Sequence, residues 1–215
     1  MLLRLITAFI LVFFLSGAQA LERTILVLGD SLSAAYGMEL EVGWVALLQQ
    51  RLVQRQLPYH VINASISGDT TAGGLARLSP ALERHQPDVL IIELGGNDGL
   101  RGLPLTALKD NLGQMIEKAT ARGTRVLVLG VQIPPNYGRR YVEGFQRVFH
   151  EVGQTHGVPV LPSLLDGVHL EPDLMQTDGI HPSAKAQPLI LDNVWRKLEP
   201  LLKAVPAAAR AGSRG

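Results

Sequence analysis

Short apolar runs alternate with longer segments of helical periodicity along this 215-residue chain. The runs are predicted strands at about 24–28, 60–64, 89–94, 126–131 and 158–161. Apolar residues at helical spacing predict helices after them, at about 44–56, 70–85, 105–122, 139–156 and 184–203. The inward face of the first helix is predicted to hold Trp44, Leu47, Leu48, Leu52 and Val53. Five alternations favour a parallel sheet with helices on both faces.

The first twenty residues have the pattern of a targeting segment. Arg4 is the only charge before Glu22, an apolar stretch covers 5–15, and Ala18 and Ala20 suit a signal-peptidase site. That stretch is shorter than the about 20 residues that a membrane span needs. We therefore expect a signal peptide over 1–20, a periplasmic or secreted protein, one domain over 21–203 and a disordered tail over 204–215. An uncleaved anchor is the alternative.

The composition excludes several classes of protein. Hydrophobic residues are 47% and charged residues 18%, which is typical of a globular domain, and a net charge of +1 gives no basic surplus for nucleic acid. The absence of cysteine excludes disulfides, a thiolate nucleophile and thiolate metal sites. The glycines at 68, 73 and 74 lack the Lys-Ser/Thr of a phosphate-binding loop. We therefore expect that the protein needs no cofactor or metal. We also expect it to be a monomer.

Polar residues follow four of the five predicted strands. The segments are 29–31 after the first strand, 65–69 after the second, 95–99 after the third and 178–182 in the loop after the fifth. In parallel sheets covered by helices, ligands bind outside the carboxyl ends of the strands. These segments are therefore expected to meet at one edge of the sheet.

The residue types in these segments suit acyl transfer. A serine hydroxyl such as Ser31 needs an adjacent base, and the imidazole of His181 is suitable. Asp178, three residues before it, is close enough to fix its tautomer. Attack on the carbonyl carbon forms a tetrahedral intermediate with a negatively charged oxygen, the oxyanion, which needs hydrogen-bond donors. The candidates are the Ser31 N–H, the Gly68 N–H and the Asn97 side chain.

The other acidic residues near these segments are assigned supporting roles. Asp30, Asp69 and Asp98 are interpreted as hydrogen-bonding braces or caps. Glu93 lies next to the end of the third apolar run, so it is expected near the mouth of that strand or paired. None of these four carboxyl groups is assigned to the chemistry.

Four sequence blocks resemble those of the GDSL, or SGNH, hydrolase superfamily: GDSLS (29–33), SISGD (65–69), GGND (95–98) and DGIHP (178–182). Longer stretches are similar to the bacterial periplasmic thioesterase I, lysophospholipase and arylesterase group: 63–78, 93–102, NYGRRY (136–141) and MQTDGIHP (175–182). The resemblance implies an α/β fold, a three-layer α/β/α sandwich with a flavodoxin-like five-stranded parallel sheet in the order 2-1-3-4-5. It also implies the roles argued above for Ser31, Gly68, Asn97, Asp178 and His181.

The expected function is hydrolysis of carboxylic esters and thioesters of small acyl substrates, including lysolipids, through a Ser-Asp-His triad and an acyl-enzyme. A carbohydrate O-acetyl esterase and a catalytically inactive lipid-binding protein are the alternatives. The segment after Asn97 is hypothesised to be a mobile substrate loop that contacts an acyl chain, the alternative being an ordinary loop. Its residues are Gly99, Leu100, Arg101, Gly102 and Leu103.

Overall fold

Five parallel strands form one sheet in the order β2-β1-β3-β4-β5 in the computed structural model, which describes residues 23–203. The order confirms the one implied by the resemblance. The predicted signal peptide and the predicted tail over 204–215 lie outside the described residues. The strands are β1 (Arg23–Gly29), β2 (Tyr59–Asn63), β3 (Val89–Glu93), β4 (Arg125–Leu129) and β5 (Val160–Leu161).

Six α-helices connect and follow the strands. They are α1 (Trp44–Gln54), α2 (Thr71–His85), α3 (Gly96–Leu100), α4 (Leu105–Thr120), α5 (Arg139–His156) and α6 (Gln187–Lys203). Helix α1 packs against α6, while α4 contacts both α2 and α5. Right-handed crossovers place these two groups on opposite faces of the sheet. Within residues 23–203, no helix has both the length and the apolarity to cross a membrane.

The sheet forms the centre of the core. All five residues of β3 are buried, as its continuous apolar run predicts for a strand covered on both faces. Helix α1 contributes a stripe to this core that contains Trp44, Val45, Leu48 and Leu52. The prediction that Val53 also faces inward was wrong, since its exposed fraction is 67%. At about 100° per residue, Val53 lies half a turn around the helix from Trp44.

The contrast between Leu52 and Val53 predicts two different effects on stability. Leu52→Ala removes a side chain with 0% exposure, so it should lower the free energy of unfolding by about 2–5 kcal/mol. Val53→Ala, at the next position of the same helix, should change it by less than about 0.5 kcal/mol. Denaturant-induced unfolding measures both values. Equal losses would contradict the assigned orientation of α1.

Candidate active site

Ser31 lies two residues beyond the end of β1, in a turn that is closed by hydrogen bonds to Asp30, the residue before it. Asp30 Oδ1 accepts from the Leu32 N–H at 3.1 Å, and the Asp30 carbonyl accepts from the Ala34 N–H at 3.0 Å. These bonds curl the chain immediately after the strand. The Ser31 side chain is therefore delivered at the carboxyl edge of the sheet, where it remains half-buried.

The His181 ring lies between a hydroxyl and a carboxylate. Its Nε2 is 2.9 Å from Ser31 Oγ, and its Nδ1 is 2.6 Å from Asp178 Oδ2. An ionised carboxylate can only accept, so Nδ1 carries the proton and donates it to Asp178. In the neutral ring, Nε2 then has the lone pair that accepts the Ser31 hydroxyl. The three side chains are joined in the order hydroxyl, imidazole, carboxylate.

The loop around Asp178 stabilises its ionised form. Its Oδ1 accepts from the backbone N–H of His181 at 3.0 Å and from that of Ile180 at 2.9 Å. These donors and the His181 ring lower the pKa of Asp178 to about 2, and the His181 N–H has the largest effect. Asp178 is therefore a carboxylate throughout the pH range in which imidazoles titrate.

Two residues that the sequence analysis missed contact the His181 loop. Gln176 Nε2 donates to the carbonyls of Tyr36 at 2.8 Å and Pro182 at 3.0 Å, which joins the loop after β1 to the loop of the histidine. The Tyr36 ring centroid lies 4.4 Å from that of the His181 ring. Gln176 belongs to the stretch MQTDGIHP, but neither residue type indicates this role by itself. Only their proximity in space identifies them.

The three predicted oxyanion donors lie just after β1, β2 and β3: Ser31 and Gly68 on loops, and Asn97 in the short helix α3. Within residues 23–203, the N–H groups of Ser31 and Gly68 donate to no other protein group. Gly68 has a φ of +80°, which glycine adopts without strain. Asn97 Nδ2 donates one hydrogen to Asp30 Oδ2 at 3.0 Å, and its second hydrogen remains for a ligand.

Asp30 and Glu93 form a buried acid pair beside the Ser31 turn. Their exposed fractions are 2% and 0%. Glu93 Oε2 accepts from Ser33 Oγ at 2.7 Å and from the Asp30 N–H at 3.3 Å. Burial raises the pKa of Asp30 to about 6, and burial together with the Asp30 charge raises the pKa of Glu93 well above its ordinary value. The brace role predicted for Asp30 is confirmed, and Glu93 is paired at the end of its strand.

Asp69 and Asp98 brace neighbouring loops, as predicted. Asp69 accepts from Arg77 Nε at 2.7 Å, and the same guanidinium donates to backbone carbonyls at the ends of β1 and β2. Asp98 is buried and accepts from the Thr71 N–H at 2.9 Å and the Thr71 hydroxyl at 2.5 Å. These carboxylates therefore stabilise the loops that carry the oxyanion donors.

The start of the predicted substrate loop is helical. Gly99 and Leu100 are the last two residues of α3, so the loop prediction was wrong for these two positions. Five residues with two glycines show no helical periodicity of apolar residues, which is why the sequence did not indicate this helix. Gly99 is buried, and a Cβ at this position would lie 2.6 Å from Ile133 Cγ2.

The rest of the segment leaves the helix and is tied to its surroundings. Gly102 has a φ of +63°, and a Cβ at this position would meet nothing within 4 Å. Three bonds, each of 2.8 Å, hold the segment: Arg101 Nη2 to the Gly68 carbonyl, Tyr137 Oη to the Leu100 carbonyl and Tyr141 Oη to the Leu103 carbonyl. Contact with an acyl chain and mobility of this segment stay predictions.

Fold and site together define the class of protein. In the part of the chain that the structure describes, no group of three or more His, Asp or Glu side chains could hold a metal ion. A hydroxyl, an imidazole and a carboxylate in series, beside backbone N–H donors at the carboxyl edge of a parallel sheet, are the arrangement of a serine hydrolase.

The chain belongs to the GDSL-like lipase/acylhydrolase family, whose model matches residues 27–188. It is 53% identical to esterase TesA of Pseudomonas aeruginosa, over 86% of this chain and 92% of that protein. It is 42% identical to thioesterase 1/protease 1/lysophospholipase L1 of Escherichia coli K12, over 90% of this chain and 92% of that one. A crystal structure of the esterase EstA from Pseudoalteromonas, inhibited by monoethylphosphonate, superimposes with a TM-score of 0.80 at 42% identity, covering 84% of this chain and 98% of that chain.

Proposed function

We propose that this serine hydrolase cleaves carboxylic esters and thioesters of acyl groups through an acyl-enzyme on Ser31. One observation carries the assignment: His181 Nε2 lies 2.9 Å from Ser31 Oγ while Nδ1 lies 2.6 Å from Asp178. A serine hydroxyl is a weak nucleophile until an adjacent base accepts its proton. The names of the relatives, an esterase and a thioesterase/lysophospholipase, support acyl substrates.

The reaction proceeds in two matched halves. Ser31 Oγ bonds to the substrate carbonyl carbon while its proton moves to His181 Nε2, and the C=O electron pair moves to oxygen. The tetrahedral intermediate collapses when the bond to the leaving alkoxide or thiolate breaks, and Nε2 gives the proton to that leaving group. In the second half, water attacks the acyl-enzyme in the same way, which releases the carboxylic acid and restores the Ser31 hydroxyl. Asp178 stabilises the imidazolium in both halves.

Three donors stabilise the negative oxygen of each tetrahedral intermediate. They are the backbone N–H groups of Ser31 and Gly68 and the second Nδ2 hydrogen of Asn97. None needs to move far when charge develops, since each is already held by its loop. Loss of one such donor typically costs about 2.7–4 kcal/mol of transition-state stabilisation.

Labelling with a fluorophosphonate tests the nucleophile. Wild-type protein should be labelled on Ser31. Ser31→Ala should lose labelling and at least about 10⁴-fold of ester hydrolysis, with a melting temperature near that of the wild type. Ser79→Ala, in α2, is the matched control and should keep both. Labelling of another residue would indicate another nucleophile. A wild-type protein that is not labelled would favour the inactive lipid-binding alternative.

A substrate panel tests the acyl specificity and the role of the segment 99–103. Aryl esters, acyl-thioesters and lysophospholipids should be hydrolysed, whereas cleavage of acetylated sugars alone would favour the O-acetyl esterase. Gly102→Pro removes a positive φ and the Gly102 N–H bond to the Gly99 carbonyl. It should change the kcat/KM ratio of long over short acyl chains by about tenfold.

Gly123→Pro is the control for this variant because Gly123 also has a positive φ, open space around it and an N–H bond to the preceding turn. It should leave the chain-length ratio unchanged. Identical ratios in the two variants would remove residues 99–103 from the substrate site.

We also propose export to the periplasm, on the pattern of residues 1–20. The intact mass of protein recovered from the periplasm of a Gram-negative host should correspond to a chain that begins at Leu21. Ala20→Glu places a charge at the predicted cleavage site and should block this processing. Full-length wild-type protein found only in the cytoplasm would contradict the proposal.

An exported enzyme meets lysophospholipids and other lipid esters more often than acyl-CoA.

A further inference from the structure

One carboxyl group contacts the chain on both sides of the nucleophile. Glu93 is the last residue of β3, and the sheet register places it beside Gly29. Its Oε2 accepts from the N–H of Asp30, the residue before Ser31, and from the hydroxyl of Ser33, two residues after it. Glu93 therefore holds the backbone of the turn that includes the Ser31 N–H.

A second carboxyl group connects this turn to the next loop. Asp30 Oδ1 accepts from the Leu32 N–H, and Asp30 Oδ2 accepts from Asn97 Nδ2. The second bond decides which way the Asn97 amide faces, because a carboxylate accepts from the amide nitrogen and repels its oxygen. With one Nδ2 hydrogen directed at Asp30, the direction of the other hydrogen is set by the planar amide group.

Two buried carboxyl groups in contact retain a proton between them, since both cannot ionise cheaply at short range. Among the charged groups around the pair, His181 favours ionised Asp30 when its ring is an imidazolium. Arg77, from α2, is paired with Asp69 and donates to the backbone carbonyls of Gly29 and Ala64, so it neutralises neither member of the pair. Glu93 Oε1 is buried and has no hydrogen-bond partner among the described residues. Burial is the largest cause of the raised pKa of both groups, and a hydrogen bond from protonated Glu93 to Asp30 partly offsets that effect for Asp30.

We propose that protonated Glu93 and ionised Asp30 are positioning residues for the oxyanion donors of this enzyme. Glu93 holds the turn that presents the Ser31 N–H, and Asp30 directs the Asn97 amide toward the substrate oxygen. Neither group touches the substrate. The inference rests on the proposed function, so its test counts only active sites that a fluorophosphonate titrates.

Two substitutions of Glu93 separate positioning from charge. Glu93→Gln keeps an acceptor oxygen and a hydrogen to share with Asp30, so kcat per titrated site should stay within about threefold of the wild type at pH 8. Glu93→Leu removes the acceptor and should lower kcat about 10–100-fold, with KM within about threefold, because the donors lose their alignment. Glu117→Gln, at a side chain with 67% exposure, is the control.

Each outcome of these measurements is decisive. A wild-type kcat in titrated Glu93→Leu, or a change in KM alone, would overturn the positioning role. A loss in Glu93→Gln as large as in Glu93→Leu would show that Glu93 acts as an anion, which also overturns the proposal. Wild-type protein without any titratable serine would instead overturn the proposed function.

A double-mutant cycle keeps the test valid if Glu93→Leu fails to fold. Asp30→Ala should lower kcat per titrated site about 10–100-fold, and Asn97→Ala about 100–1000-fold. If Asp30 acts through Asn97, the double variant should lie within about threefold of Asn97→Ala. A double variant that loses the product of the two factors would show that Asp30 does not act through Asn97.

The pH dependence of stability gives a readout that does not depend on activity. The native state holds the Glu93 proton above the pH at which an unfolded chain releases it, about 4.3. Wild-type stability should therefore fall as pH rises beyond that value, relative to Glu93→Gln, which has no proton to lose. If the difference in free energy of unfolding between the two proteins stays the same from pH 4 to pH 8, Glu93 loses its proton at the same pH in the folded and unfolded chains. Glu93 would then be ionised in the folded enzyme at pH 8, which would overturn the protonated state proposed for it.

Discussion

The parallel pairing of β1 with β3 is the constraint on which the site depends. Its register sets Gly29 beside Glu93, so the Ser31 turn and the segment that leads to Asn97 in α3 leave the sheet as neighbours. A Cβ on Gly29 would lie 2.8 Å from the hydroxyls of Ser33 and Ser65. Glycine therefore lets the turn fold tightly over the strand end, which explains physically why this residue precedes the Asp30-Ser31 pair.

The same chemical group has opposite properties at two places in this site. Asp178 is well exposed and accepts from two backbone N–H groups, so its pKa falls to about 2 and it remains charged. Glu93 is fully buried beside a second carboxyl group, so its pKa rises. In the proposed mechanism, the exposed carboxylate stabilises the positive charge that forms on His181. The buried pair supplies fixed hydrogen bonds to the Ser31 turn and to Asn97.

Much of the site was predictable because its residues follow strands whose order the chain itself indicates. Ser31, Gly68 and Asn97 each lie just beyond a run of apolar residues, and Asp178 lies three positions from His181. Tyr36 and Gln176 were not predictable, because their roles depend on loops that are about 140 residues apart in the sequence. Helix α3 was missed because its five residues carry no periodic pattern.

By itself, the sequence determined the class of fold and predicted which side chains are the candidate reacting groups. Apolar runs, helical periodicity and polar segments at strand ends are local properties, and local chemistry is enough to interpret them. Tertiary structure alone decided the raised pKa values of Glu93 and Asp30, the hydrogen bond that orients the Asn97 amide and the contact of Tyr36 with His181. These depend on burial and on distances between remote segments, which arise only when the strands pair and water is excluded.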